Sequence, residues 1–130
     1  MKKVLIFDDD TDIWELCSLI LKVKGYHTIG ETTCVNVIDK VRTTNPDVIL
    51  MDNWIPDIGG IAATQLLKCD PVTKHIPVIF FTANNNVEKL SHEAGADYFI
   101  EKPFDINHFV GLVGRAVTQP INENSEKLME

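Results

Sequence analysis

Short apolar runs alternate along the chain with segments in which apolar residues recur every three or four positions. The first pattern is typical of buried strands and the second of helices with one apolar face. The predicted strands are 4–7, 27–31, 48–51, 77–81 and 97–100. The predicted helices are 11–24, 35–43, 61–69, 87–94 and 106–117. This alternation predicts a doubly wound α/β fold, in which a five-stranded parallel sheet carries helices on both faces. The second strand is the least apolar, and we expect it near an edge.

The first and last helices each have a predicted inward face. In the first helix, that face contains Ile13, Leu16, Cys17, Ile20 and Val23. In the last helix, it contains Ile106, Phe109, Val110, Val113 and Val117. Trp14 lies off the first stripe, and we expect it to be partly exposed or part of a contact surface. The periodicity ends near residue 118, so residues 1–118 are predicted to form one domain and 119–130 a polar tail or linker.

Charge and cysteine usage narrow the classes of function. The chain has 130 residues and a net charge of −7, with 12 Lys and Arg against 19 Asp and Glu. Binding to nucleic acid phosphates needs a basic face, so we expect no direct nucleic-acid binding by this chain. No apolar run approaches the roughly 18 residues of a membrane helix, and we expect no membrane association. Three scattered cysteines indicate free thiols and a cytoplasmic location.

Polar residues follow four of the predicted strands. They are Asp8, Asp9 and Asp10 after the first strand, Asp52 after the third, Thr82 after the fourth and Lys102 after the fifth. In a doubly wound sheet the carboxyl ends of the strands form one edge, where ligands bind. We therefore expect these side chains to meet in one pocket.

The chemistry of that set is coherent. Close carboxylates repel each other unless a cation joins them, and hard oxygen ligands suit Mg²⁺. An aspartate can act as a nucleophile and form an acyl phosphate. A lysine supplies positive charge to phosphate oxygens, and a threonine hydroxyl can donate a hydrogen bond to one.

Four motifs give the chain a family resemblance. They are Val-Leu-Ile-Phe-Asp-Asp-Asp at 4–10, Val-Ile-Leu-Met-Asp at 48–52 followed by Ile-Pro-Asp-Ile-Gly-Gly at 55–60, Phe-Phe-Thr-Ala at 80–83, and Gly-Ala-Asp-Tyr-Phe-Ile-Glu-Lys-Pro-Phe at 95–104. In this order and spacing, the chain resembles the receiver domains of two-component response regulators over nearly its whole length. The resemblance implies a flavodoxin-like fold with strand order 2-1-3-4-5.

The resemblance also implies a phosphoacceptor and a metal site. Asp52 matches the aspartate that accepts the phosphoryl group. Asp8 and Asp9 match the acidic pair that, with Asp52 and the backbone carbonyl of Trp54, holds Mg²⁺ or alternatively Mn²⁺. Asp9 is expected to bind the metal directly, and Asp8 partly through water. Such a protein has self-phosphorylation and autodephosphorylation chemistry without being a turnover enzyme.

The remaining residues match the switch of the family. Thr82 corresponds to the switch hydroxyl, Lys102 to the phosphate-binding lysine and Phe99 to the switch aromatic. The resemblance implies that the bond before Pro103 is cis. It further implies that phosphorylation changes the face formed by the fourth helix, fifth strand and fifth helix.

The partners implied are a sensor histidine kinase or a histidine phosphotransfer protein, and a downstream protein that the sequence does not identify. We expect a monomer, with dimerisation on phosphorylation as an alternative. A stand-alone receiver is favoured over a receiver cut from a longer, DNA-binding regulator. A Mg²⁺-dependent aspartyl-phosphate phosphatase stays open as a second class, although residues 8–12 lack its pattern of Asp-x-Asp-x followed by Thr or Val. An FMN-binding module is a third class, although the first strand is followed by carboxylates rather than a phosphate loop.

Several of these residues also have simpler interpretations. Asp10 is expected to cap the first helix rather than bind metal. For Phe99, a simple core position explains the residue about as well as a switch role does. The four histidines are expected to be surface residues or residues with satisfied hydrogen bonds, not phosphate carriers. Cys69 is expected to pack at a helix end rather than to act as a redox sensor. We also expect Trp54 and Asn84 to flank the path of attacking water, with Trp54 shielding the acyl phosphate.

Overall fold

The computed structural model describes residues 1–83 and 86–118. Its strands are β1 (Lys3–Phe7), β2 (His27–Glu31), β3 (Val48–Met51), β4 (Val78–Thr82) and β5 (Tyr98–Glu101). Its helices are α1 (Thr11–Val23), α2 (Val37–Thr44), α3 (Gly60–Cys69), α4 (Val87–Ala94) and α5 (Ile106–Thr118). All ten predicted elements are present, and their ends agree with the predicted ones to within two residues. Asn84 and the predicted tail at 119–130 lie outside the described residues.

The five strands form one parallel sheet in the order β2-β1-β3-β4-β5. This confirms the predicted fold class, the strand order and the edge position of β2. The order reverses between β1 and β3, because β1 is paired with β2 on one side and with β3 on the other. A cleft at the carboxyl ends of β1 and β3 is therefore the expected place for a site.

Alternate residues of the central strands pack on opposite faces of the sheet. On one face, Leu5, Phe7, Ile49 and Met51 pack with α2, α3 and α4. On the other face, Val4, Ile6, Val48 and Leu50 pack with α1 and α5. Burial on both faces explains why these strands are continuously apolar in the sequence.

The predicted inward face of α1 was partly wrong. Cys17 is buried as expected, but Leu16 is 46% exposed and Val23 is 76% exposed. Ser18 and Leu21 are buried instead. The helix is therefore rotated so that a neighbouring set of positions faces the sheet.

The predicted inward face of α5 needs one correction at its first residue. Ile106 is 53% exposed, whereas Phe109 and Val113 are fully buried and Leu112 and Ala116 are almost fully buried. The inward face therefore begins at Phe109, one turn into the helix.

The first turn of α2 was also misplaced. The helix begins at Val37 rather than at 35, because Asn36 has a left-handed backbone with φ of 55°. Val35 is accordingly outside the helix and 46% exposed.

Most other surface expectations agree with the structure. The four histidines are exposed: His27, His75, His92 and His108. The cysteines are free, as expected. Cys69 lies at the end of α3, but it is exposed there rather than packed as predicted. Burial raises the pKa of the Cys17 and Cys34 thiols to about 12, so both are inert at neutral pH. Within the described ranges, no helix is both long and apolar enough to cross a membrane.

Candidate acidic site at the carboxyl edge of the sheet

Two buried carboxylates lie side by side where β1 and β3 end. The N–H of Asp52 donates to the Phe7 carbonyl at 3.0 Å, and the N–H of Asp8 donates to the Glu31 carbonyl at 3.0 Å. These bonds extend the sheet one residue past each strand. Asp8 is 1% and Asp52 is 5% exposed, so both acids are largely removed from water. Their burial is unfavourable unless a cation balances the charge.

Lys102 supplies such a positive charge from the end of β5. Its backbone N–H donates to the Thr82 carbonyl at 2.8 Å, which fixes the start of the side chain. Its ammonium Nζ lies 2.7 Å from Asp8 Oδ2 and 3.2 Å from Asp52 Oδ1. The lysine therefore bridges both acids, as convergence of the strand ends predicted.

The pKa values reflect this arrangement. Burial is the largest effect on Asp52 and raises the pKa of its carboxyl group, as does the charge of Asp8. The charge of Lys102 and the hydrogen bonds from Lys102 and Trp54 oppose this effect without overcoming it. Burial on its own would lower the pKa of Lys102, but its hydrogen bond to Asp8 and the two carboxylate charges raise it. The ammonium thus remains charged, and it faces two carboxyl groups.

Asp9 adds a third, exposed carboxylate. One oxygen each from Asp8, Asp9 and Asp52 lies within 4.8 Å of the others. Three hard oxygen donors in this space fit a divalent cation of the Mg²⁺ type. Asp10 has a different place: its Oδ1 accepts from the N–H groups of Asp12 and Ile13 and caps α1. The prediction that Asp10 is a helix cap is confirmed.

The backbone of the loop between β3 and α3 contacts the Asp52 carboxylate. The Trp54 N–H donates to Asp52 Oδ2 at 3.2 Å, while the Trp54 side chain is 70% exposed. Gly60 begins α3 against this loop, and a Cβ added there would lie 2.1 Å from the Asp52 carbonyl oxygen. Sequence reasoning did not single out Gly60, although a glycine at a helix start beside a candidate nucleophile was a usable signal.

Thr82, Phe99 and Pro103 occupy three different settings. Thr82 is fully buried at the last residue of β4 and contacts Lys102 through its backbone carbonyl. Phe99 is partly buried and packs against the core on the α2–α4 side, one strand from Phe80. The Lys102–Pro103 peptide bond is cis, as the resemblance implied. Of the predicted site residues, the structure brings together the side chains of Asp8, Asp9, Asp52 and Lys102.

Comparison of the sequence with known families and proteins agrees with this geometry. The profile described as "Response regulator receiver domain" matches residues 4–113. The polar-differentiation response regulator DivK of Brucella ovis is 32% identical over 114 residues, covering 86% of this chain and 93% of the relative. DivK of Brucella anthropi matches with the same identity and coverage.

Solved structures share the fold. A response regulator from Chloroflexus aurantiacus J-10-fl has a TM-score of 0.85 at 25% identity, covering 91% of this chain and 98% of that one. The receiver domain of a histidine kinase from Syntrophus aciditrophicus has a TM-score of 0.83 at 28% identity, covering 94% and 96%. A receiver domain from Pseudomonas aeruginosa PAO1, described with magnesium coordinated in its active site cleft, has a TM-score of 0.82 at 21% identity, covering 89% and 97%. Its fold is thus the same. With the profile match and the DivK relatives, this chain belongs to the response regulator receiver domain family of two-component signalling.

Proposed function

We propose that this receiver accepts a phosphoryl group on Asp52 from the phosphohistidine of a sensor kinase or a histidine phosphotransfer protein. The observation that carries the proposal is the position of the Lys102 ammonium, which contacts both Asp8 and Asp52 where the strand order reverses. A charge held there can neutralise oxygens of an incoming phosphoryl group. The same bridge holds one carboxylate oxygen of Asp52 in place.

In the proposed transfer, a carboxylate oxygen of Asp52 forms a bond to phosphorus while the phosphorus–nitrogen bond of phosphohistidine breaks. The electron pair of that bond stays on the imidazole. Hydrolysis later adds a water oxygen to phosphorus and breaks the bond to Asp52, which releases inorganic phosphate. The hydrogen bond from the Trp54 N–H to Asp52 Oδ2 holds the carboxyl group of Asp52 in both steps, in which it is first the nucleophile and then the leaving group.

The residues present fit a resident Mg²⁺, with Mn²⁺ as the alternative. Asp8, Asp9 and Asp52 offer the oxygens, and the backbone carbonyl of Trp54 is proposed as a further ligand. When bound, the ion neutralises phosphoryl oxygens and lowers the repulsion that the acids exert on an anionic donor. Asp8 is shared with Lys102, which is consistent with its binding the ion partly through water.

We further propose that the phosphoryl group draws the Thr82 hydroxyl toward Asp52 and that Phe99 moves into the space that Thr82 leaves. This would change the face formed by α4, β5 and α5, where a downstream protein binds. Support comes from the position of Thr82 at the end of β4 and from the incomplete burial of Phe99.

The free thiols of the three cysteines are consistent with a cytoplasmic protein.

The proposal can be tested by intact mass spectrometry after incubation with acetyl phosphate and Mg²⁺. One added phosphoryl group is expected in the native protein, and none in Asp52→Asn or in the presence of excess chelator. Asp57→Asn is a matched control, because Asp57 lies in the same loop but is exposed. It should gain the group normally.

Two outcomes would contradict the proposal. A native protein that stays unmodified with Mg²⁺ and acetyl phosphate would not be a phosphoacceptor. An undiminished adduct in Asp52→Asn would place the acceptor elsewhere.

A further inference from the structure

The ammonium of Lys102 has a third neighbour besides its two carboxylates. Its Nζ lies 4.4 Å from the ring centroid of Phe81, over the face of the ring. Phe81 is fully buried in β4, and the Lys102 side chain is 13% exposed. The face of an aromatic ring carries partial negative charge and attracts a cation, most strongly when water is excluded. Both conditions are met here.

The ring and the carboxylates interact with the ammonium in different ways. A lysine has three N–H donors and no acceptor. Contacts to Asp8 Oδ2 and Asp52 Oδ1 engage two of these donors. The ring attracts the charge without supplying an oxygen atom, so it does not compete with the carboxylates or with a phosphate oxygen for hydrogen bonds. It also closes one side of the ammonium to water.

The three contacts respond differently to the reaction proposed above. Phosphorylation converts the Asp52 carboxylate to an acyl phosphate, and a divalent cation would compete with Lys102 for Asp8. Both carboxylate contacts of Lys102 therefore change as the site is loaded. The contact with Phe81 involves no reacting atom and stays available throughout.

We propose that Phe81 is a positioning residue that holds the Lys102 ammonium in place while its two carboxylate partners exchange ligands. This inference rests on the proposed phosphoryl transfer to Asp52. It assigns a functional contact to a residue that the sequence presents as one of several apolar strand residues. Because the proposed effect of Phe81 acts through Lys102 alone, experiments can distinguish it from the contribution of Phe81 to core packing.

Phe81→Leu and Phe80→Leu form a matched pair for the test. Both rings are fully buried in β4, but Phe80 packs on the opposite face of the sheet, away from Lys102. The observed rate of phosphoryl uptake at saturating acetyl phosphate is expected to fall about tenfold in Phe81→Leu. Phe80→Leu should keep a near-native rate despite a similar loss of stability. Equal rates in the two variants would overturn the proposal.

A double-mutant cycle tests whether the effect passes through the lysine. In a Lys102→Met background, Phe81→Leu should cause no further loss of rate, because no ammonium remains to be held. Independent, multiplying losses would mean that Phe81 acts through packing. Replacing Phe81 by 3,4,5-trifluorophenylalanine keeps the ring but weakens its attraction for cations, and should give an intermediate rate. A native rate in this variant would also contradict the proposal.

The positioning can be checked without any phosphorylation. The Cε protons of Lys102, assigned by their loss in Lys102→Arg, should resonate upfield in the native protein because of the Phe81 ring current. That shift should vanish in Phe81→Leu and persist in Asp52→Asn and Phe80→Leu. Unshifted protons in the native protein would refute the contact. Failure of the native protein to gain a phosphoryl group would instead count against the proposed function, while the proton shift would still decide the positioning.

Discussion

The indole of Trp14 on α1 lies directly over Gly30 on β2. A Cβ added at Gly30 would stand 1.0 Å from Nε1 and 1.6 Å from Cε2 of Trp14. The indole therefore fills the space that any other residue at 30 would use for its side chain. Nearby, Ser18 Oγ and Thr28 Oγ1 are hydrogen-bonded across the same interface between α1 and β2. A large residue and a glycine thus set the distance at which the helix packs on the edge strand.

Gly30→Ala is expected to destabilise the protein by about 1–3 kcal/mol, because the rigid indole must move and leave a poorly packed interface. Urea unfolding followed by far-ultraviolet circular dichroism measures the change. Gly111→Ala is the matched control: Gly111 lies in α5, and nothing is within 4 Å of an added Cβ. That variant should gain roughly 0.5–1 kcal/mol from helix propensity. An unchanged urea midpoint in Gly30→Ala would contradict the packing account.

The same interface explains where the sequence misled us. Leu16 and Val23 fit a three- and four-residue spacing as well as the residues that are buried, so α1 has two overlapping apolar stripes. The choice between the two stripes depends on Gly30, because the lack of a side chain there leaves space for the indole of Trp14. Gly30 lies on β2, more than ten residues from Trp14 in the sequence. A pattern within one helix contains no information about that partner.

The sheet itself was predictable because its central strands are buried on both faces. Continuous runs such as Val48–Met51 have few alternatives to an interior parallel strand, and residues that follow such strands share one edge. This rule placed Asp8, Asp52 and Lys102 together correctly. It could not identify Phe81 or Gly60, because their contacts with the site depend on the path of a side chain and the close approach of two backbones.

Asp52→Asn is expected to raise the melting temperature at pH 7 in the presence of chelator. Burial raises the pKa of Asp52 above its ordinary 3.8, so the folded state binds its proton more tightly than the unfolded state. The ionised carboxylate therefore costs stability once the pH exceeds the folded-state pKa, and the cost disappears as the pH falls through that pKa toward 3.8. Lys102 keeps Asp8 as a partner in the variant.

Differential scanning calorimetry across pH 3–8 tests this expectation. Each kcal/mol relieved corresponds to roughly 4 °C for a domain of this size. The gain should shrink as the pH approaches 3.8, and the exposed-site variant Asp57→Asn should show none. A lower melting temperature for Asp52→Asn at pH 7 would mean that its contact with Lys102 outweighs the cost of burial.

Gly60→Ala is expected to slow phosphoryl uptake by roughly a hundredfold, as displacements of about 1 Å at a reacting group can do. The added methyl group would lie 2.1 Å from the Asp52 carbonyl oxygen and 2.9 Å from the Asn53 Cα, both of which are backbone atoms. Either α3 or the phosphoacceptor loop must therefore move. Time-resolved intact mass with acetyl phosphate gives the rate, and circular dichroism verifies folding. A folded variant with the rate of the Gly111→Ala control would show that the close approach does not position Asp52.

Trp54→Ala is expected to shorten the lifetime of the acyl phosphate several-fold. The Trp54 backbone is held to Asp52 by its N–H, so a large indole is anchored two residues from the proposed phosphoacceptor while its side chain stays 70% exposed. Such a ring can limit the approach of water without closing the cleft to a donor. Decay of the adduct after removal of the donor measures the lifetime. Trp54→Phe, which keeps an aromatic ring on the same backbone, should decay at a rate between the other two. Equal lifetimes in all three proteins would show that water reaches the phosphoryl group by a path that the indole does not cover.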